Sequence, residues 1–258
     1  MSYTLVLFLV CGALAVGILA ALEVGRRIGA RRLARDPAGA RAGIGAVDGA
    51  VFGLLGLLIA FTFSGAASRF EARRGLVTEE ANAIGTAWLR IDTLPVEAQP
   101  AMRELFRSYL DSRIATYRKV PDMAAAMEEY GRSAALQGEI WRAAVVGAQA
   151  SSTTAATMLL LPALNQMIDI TTTRLVATQS HPPYVIFGML MLLALAGGLL
   201  AGYGMAEGSG RNWLHMAAFA LTMAIAVYVI LDLEYPRLGL IRVDSADQVM
   251  VDLRRSMD

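Results

Sequence analysis

Four stretches of this chain, Tyr3–Leu22, Gly49–Ser68, Pro182–Ala206 and Asn212–Leu231, contain no Asp, Glu, Lys or Arg. Each reaches the ~20 residues that carry an α-helix across a ~30 Å hydrocarbon core. Composition agrees: 56% of the residues are hydrophobic and the mean hydropathy is +0.49, which places the chain among membrane proteins. An even number of crossings puts both termini on one side of the bilayer. Strand-like alternation is absent between the spans. We therefore expect an all-α membrane protein: four transmembrane helices, with a helical extramembrane module inserted between helices 2 and 3.

The first span has no Lys or Arg ahead of it. Its apolar run also exceeds the roughly 7–15 residues of a secretory h-region, so it reads as a retained anchor. A net charge of +1 offers no electrostatic basis for binding nucleic acid. The single cysteine, Cys11, lies inside the first span and excludes an intrachain disulfide or a cysteine-rich metal site. Tyr3, Tyr184, Trp213 and Tyr235 fall at span ends, where amphipathic rings favour the headgroup layer.

Between spans one and two, Arg26, Arg27, Arg31, Arg32, Arg35 and Arg41 crowd a single connecting loop. The positive-inside rule puts such a loop in the cytoplasm and the long second connection outside. Arg69, Arg73 and Arg74 after span two, with Arg237 and Arg242 after span four, pull in the other direction.

The connection 69–181 is patterned for helices. Val77, Ala81, Ile84, Trp88 and Ile91 step by four and three and end at Leu94-Pro95. A second seam reads Met102, Phe106, Tyr109 and closes before Pro121; a third reads Met123, Met127, Tyr130, Ala134. The last follows Leu161, Leu164, Ile168 and Leu175 and stops at Pro182-Pro183. Between Leu58 and Leu94 there is no Pro, and the glycines Gly65, Gly75 and Gly85 each cost only about 1 kcal/mol against Ala. Span two is thus expected to continue into the module as one helix. The expected organisation is 1–68, transmembrane helices 1 and 2 with the Arg-rich connecting loop; 69–181, the helical module; 182–231, transmembrane helices 3 and 4; and 232–258, a C-terminal tail.

Span two has an unusual small-residue face. Gly45, Gly49 and Gly53 recur every fourth residue, and the stripe continues through Gly56, Ala60 and Ser64. In lipid, such spacing lets helix backbones approach closely, either against another span of the same chain or against a second copy. Asp48 stands at the mouth of this helix, where an ionisable group is either a candidate for ion handling or a carboxylate welcomed by a helix N-terminus. Enzyme signatures are missing. His181 and His215 have no carboxylate or cysteine at ligand spacing. The glycines of GGLLAGYG, residues 197–204, lie inside span three with no strand before them, so they form no phosphate loop. Glu71, Glu79 and Glu80 read as a solvated helix face. We expect no catalytic residues, no metal and no cofactor.

GLLGLLIAFTFSGAASRFEARR, residues 53–74, resembles the second transmembrane helix of bestrophins, ion channels in which five subunits each contribute this helix to a central pore. TEEANAIGTAWLRIDTLP, residues 78–95, and DLEYPRLGLIRVD, residues 232–244, resemble bacterial membrane proteins called bestrophin-like, and this second resemblance covers most of the chain. The resemblance carries the channel's arginine at the end of the membrane helix onto Arg69, and its three neck residues onto Phe61, Leu57 and Gly53. Ala60-Phe61 keeps the small-then-Phe pattern, whereas Gly53 replaces a bulky residue. The acidic cluster that binds calcium in animal bestrophins has no counterpart, because Asp232, Glu234, Asp244 and Asp247 are scattered. Bestrophins keep their soluble helices in the cytoplasm, opposite to the orientation favoured by the Arg-rich segment.

Two functions follow. The first is a homo-oligomeric ion channel of the inner membrane, pentameric if the resemblance holds. In it, span two lines a pore that narrows at Leu57 and Phe61, and Thr62, Ser64, Arg69 and Asp48 supply polar rings. Phe61 stands about 100° from Ala60, so the pore and packing roles coexist on one helix. The second is a non-conducting scaffold or sensor whose helical module binds a partner. The lipid bilayer and further copies of the chain are the expected partners, with inorganic ions if it conducts.

Overall fold

In a computed structural model, residues 2–40, 44–207 and 210–258 are described; Arg41 lies outside them. The α-helices are α1 (Tyr3–Arg35), α2 (Ile44–Leu89), α3 (Gln99–Arg118), α4 (Met123–Ala150), α5 (Leu161–Gln179), α6 (Tyr184–Gly204), α7 (Trp213–Glu234) and α8 (Gln248–Arg255). No strand occurs among the described residues. The chain divides into a membrane unit, Met1–Ser68 with His181–Tyr235, and a second unit, Arg69–Ser180 with Pro236–Asp258. α2 passes the division at Ser68 without a break.

In the membrane unit α1 packs along α6 and α7. Leu7, Cys11, Leu14, Ile18 and Leu22 form the buried stripe of α1, at steps of four and three. Lower down the side chains vanish and the backbones meet. A Cβ built on Gly25 would lie 1.9 Å from the Leu199 carbonyl oxygen, and one on Gly202 would lie 2.0 Å from that of Leu22. Gly29 faces Tyr203 and Gly198 faces Ile18 in the same seam. The glycines of residues 197–204 are therefore a helix-packing surface, matched by Gly25 and Gly29 on the opposing helix. Away from this seam Phe8 and Val16 on α1, Leu192 on α6 and Leu221 on α7 are exposed, as suits a surface facing lipid.

The Arg-rich segment was expected to be a loop, but α1 stays helical to Arg35. Glu23 explains the continuation: it accepts from Arg26 at 3.1 Å and Arg27 at 2.8 Å, the i,i+3 and i,i+4 positions. Cationic residues also suit a helix C-terminus. The helix ends at Asp36, whose carboxylate accepts the Gly39 N–H at 2.9 Å. At the other end of the unit the Tyr3 hydroxyl donates to the Leu231 carbonyl at 2.9 Å, and His181 stacks on Tyr235 with centroids 4.4 Å apart.

The second unit is a helical bundle. Its core joins Val77, Ile84 and Ile91 with Met102, Phe106 and Tyr109 of α3, Ile140 and Ala144 of α4, and Leu164 and Met167 of α5. The first two predicted seams are buried throughout, and in the last Leu164 is buried while Leu161, Ile168 and Leu175 are half-buried. The third seam fails. Met123 and Met127 are exposed, and α4 instead buries Ala126, Glu129, Ser133 and Ile140. Its polar contacts turn it this way: Ser112 donates to Glu129 at 2.9 Å and Lys119 does so at 2.7 Å. Residues after span four also join this bundle: Met250 and Met257 are buried, Arg254 pairs with Asp111 at 3.0 Å, and Arg107 donates to the Met257 carbonyl at 3.0 Å.

The glycine seam makes a direct expectation. Gly202→Ala forces two backbones apart and should lower stability by about 1–3 kcal/mol. Gly12→Ala, where an added Cβ meets nothing within 4 Å, should not. Thermal unfolding of the detergent-solubilised protein measures both.

Candidate functional site

Every residue that the sequence put forward for a pore or for helix packing lies on α2. At about 100° per residue, the buried Leu55 and Ala66 mark one side of its membrane half. Leu55 and the Phe52 ring lie against Gly197, and that ring meets Phe219 edge-on with centroids 6.1 Å apart. The opposite side carries Gly53, Leu57, Ala60, Phe61 and Ser64, all exposed. Gly49 and Gly56 fall within about 60° of Gly53, and Gly45 at about 80°. A Cβ added to Gly45, Gly49, Gly53 or Gly56 would meet nothing within 4 Å.

Two numbers measure how open this face is. Phe61 is 68% exposed. In the most apolar stretch of this span 11% of residues are buried against the rest of the chain, against 28% in each of the others. Large side chains are left uncovered on all four spans, Val47, Leu54, Leu57, Phe61 and Phe63 on α2 among them, and on α2 they stand beside an exposed series of Gly45, Gly49, Gly53, Gly56, Ala60 and Ser64.

Asp48 and Arg69 do not share this face. Helical register puts them about 140° and 160° from Gly53, and both are half-buried. Thr62 lies on the packed side too, and its hydroxyl donates to the Leu58 carbonyl of its own helix at 2.7 Å. The structure thus gathers Gly53, Leu57 and Phe61 with the small residues, and separates from them the charged groups offered as pore rings.

Of the scattered carboxylates, Asp232 and Glu234 are buried in the membrane unit. In the second unit, Asp244 and Asp247 sit with Arg237 at 3.6 and 2.7 Å. Among the described residues no three His, Cys, Asp or Glu side chains are grouped to hold a metal.

The second unit contains a charged cluster that the sequence reading missed. Glu80, taken for part of a solvated face, is 0% exposed. Its carboxylate accepts from Arg113 Nε at 2.6 Å and Nη2 at 3.2 Å, and from Arg174 Nη1. Burial pushes this carboxyl up, but the charges of Arg174 and Arg113 outweigh it and hold it below the usual carboxylate range. Burial likewise works against the Arg113 cation, and Glu80 more than reverses it, raising Arg113 above its ordinary value. Arg113 also donates to the Tyr117 hydroxyl at 3.1 Å. One sequence signal was available: Glu80 follows Val77 by three, Arg113 follows Tyr109 by four and Arg174 follows Thr171 by three, so each extends a buried stripe. Arg73 closes the end of α5 by donating to the carbonyls of Ala177 at 2.9 Å and Ser180 at 2.8 Å.

Comparison with known proteins adds two findings. A family model described as a Bestrophin-like domain matches residues 10–247. The crystal structure of a bacterial bestrophin homologue from Klebsiella pneumoniae, carrying a tyrosine-to-alanine substitution, superposes with a TM-score of 0.64 at 13% identity, over 92% of this chain and 99% of that one. At that identity the likeness speaks to the fold. No curated protein matches.

Glu80→Gln leaves two buried guanidinium groups uncompensated and should cost about 3–5 kcal/mol. The pairing contributes fully above the unfolded-state value of about 4.3 and is lost as the pH falls through the lower folded-state value. The stability gap between parent and Glu80→Gln should therefore close in acid. Chemical denaturation across pH 3–7 measures it.

Proposed function

The chain belongs to the bestrophin-like family, and from that premise we propose that it is a homo-oligomeric ion channel of the inner membrane, with α2 of each copy lining a central pore. The observation that carries this reading is the open face of α2. An exposed stripe of Gly45, Gly49, Gly53, Gly56, Ala60 and Ser64 offers little surface to lipid, and close helix packing is what small residues provide in a bilayer. Neighbouring copies seated on that stripe would turn Leu57 and Phe61 toward the axis. Rings of such residues close a pore by dewetting rather than by charge. Gly53 leaves the level one turn away from Leu57 wide, so the constriction in this reading is two rings deep. Five copies is the number implied by the resemblance to the channels. The reading calls for the bilayer, further copies of the chain and inorganic ions as partners, and for no cofactor.

Flux of chloride, sodium and potassium from liposomes containing the purified protein is the test. Phe61→Ala should raise flux several-fold while leaving the oligomer intact; unchanged flux in a normally assembled variant would remove Phe61 from the constriction. Gly53→Leu should leave the protomer folded and reduce assembly, as read by light scattering in detergent. A folded, oligomeric parent silent to all three ions would shift the assignment to a non-conducting scaffold.

A further inference from the structure

We propose that a cavity in the second unit is a binding site for a small phosphate-class oxyanion, either free phosphate or the phosphoryl group of a small metabolite. The cavity, about 270 Å³, lies between α3 and the chain that follows span four. Arg113, Tyr117 and Arg118 line one wall, and Arg237, Arg242 and Asp244 line the other. Its size is close to the ~300 Å³ lower end of small-molecule pockets. It shares no residue with the open face of α2, so it stands or falls apart from the channel reading.

The charge balance of this cluster points to the ligand. Four arginines on the walls meet only two carboxylates, Asp244 and Asp247. Behind them Glu80 is divided between Arg113 and Arg174, so that buried triad carries a net positive charge as well. Two cationic charges in the cluster therefore have no carboxylate to match. The one in the triad is held away from water, where surplus charge is unfavourable unless an anion balances it, and the other, on Arg118, is exposed. The Tyr117 ring, with Arg174 at 4.0 Å and Arg237 at 4.6 Å from its centroid, supplies part of that balance.

A divalent anion completes it. A phosphoryl group carries about −1.5 to −2 charge near neutral pH and presents several acceptor oxygens to guanidinium forks; chloride or a monocarboxylate would leave one charge unmatched. The donors are placed for it. The Arg237 side chain is 13% exposed and bound to Asp247 at 2.7 Å, which fixes its plane. Arg242, at 50% exposure, is held by Asp244 at 2.7 Å, and Asp244 also lies 3.6 Å from Arg237. Asp244 thus occupies a position suited to a ligand oxygen and has to move aside or compete. Arg118 is exposed and makes no ion pair among the described residues.

Isothermal titration calorimetry of the full-length protein in detergent, at fixed ionic strength, tests the site. The probes are inorganic phosphate, glycerol 3-phosphate, acetate and chloride. Phosphate is expected to bind saturably with one site per chain, and the double variant Arg118→Gln, Arg242→Gln to bind about tenfold more weakly. Asp244→Asn, which removes the competing carboxylate, should bind more tightly. Glycerol 3-phosphate binding above inorganic phosphate assigns the site to a phosphorylated metabolite, and equal or weaker binding assigns it to free phosphate. The double variant loses only the exposed Arg242–Asp244 pair, Asp244→Asn also loses the 3.6 Å contact with the largely buried Arg237 while Asp247 still holds that arginine, and an unchanged melting temperature confirms that both fold. Absence of phosphate binding, acetate or chloride binding equally well, or unchanged affinity in both variants overturns the proposal.

Discussion

The backbone contact of α1 with α6 is the constraint on which the membrane unit rests. In a bilayer no hydrophobic force drives helices together, so they associate where close packing is available. Gly25 against Leu199 and Gly202 against Leu22 bring the two backbones together with no side chain between them. α7 adds to the same assembly along α1. α2 contributes Phe52 and Leu55, which fit against the glycine surface at Gly197. Among the described residues its other side is left uncovered, since a Cβ on Gly45, Gly49, Gly53 or Gly56 would meet nothing within 4 Å.

The second unit is organised by a different interaction. Glu80, Arg113 and Arg174 come from α2, α3 and α5. Such a triad adds little stability over apolar residues of equal volume, yet breaking it is costly. Its effect is positional, since Arg113 meets Glu80 through two donors and admits few registers of α3 against α2. The same polar logic rotates α4. Glu129 and Ser133 turn inward because Ser112, Lys119 and Arg113 wait for them, and Met123 and Met127 are turned outward in consequence.

What was legible in the sequence follows from this difference. The spans could be read because lipid demands long uncharged helices, and the seams at Val77–Ile91 and Met102–Tyr109 because their burial is apolar at every step. The α1–α6 seam was missed although Gly25 and Gly29, like Gly198 and Gly202, repeat every fourth residue. The spacing was present, but the arginines around Gly25 and Gly29 made that stretch look like a loop. Glu80 was misread because its partners lie 33 and 94 residues away, beyond any local pattern. The small face of α2 was visible as a periodicity; whether another span covers it is a tertiary fact, and the described residues leave it uncovered.

The make-up of that uncovered face limits what a pore built from it can do. Asp48 and Arg69 are out of register with Gly53, Leu57 and Phe61, and the Thr62 hydroxyl is engaged by its own backbone. The polar groups in register are the exposed hydroxyls of Ser64 and Ser68, the second about 60° from Gly53. Hydroxyl rings solvate anions and cations alike, whereas strong charge selectivity requires charged rings or converging carbonyls. An axis lined by these residues would sort ions by the work of passing Leu57 and Phe61, where water is shed, more than by sign. Larger, weakly hydrated ions lose least there. In that arrangement the two apolar rings would act as gate and filter together, with Asp48 and Arg69 out of register with the axis.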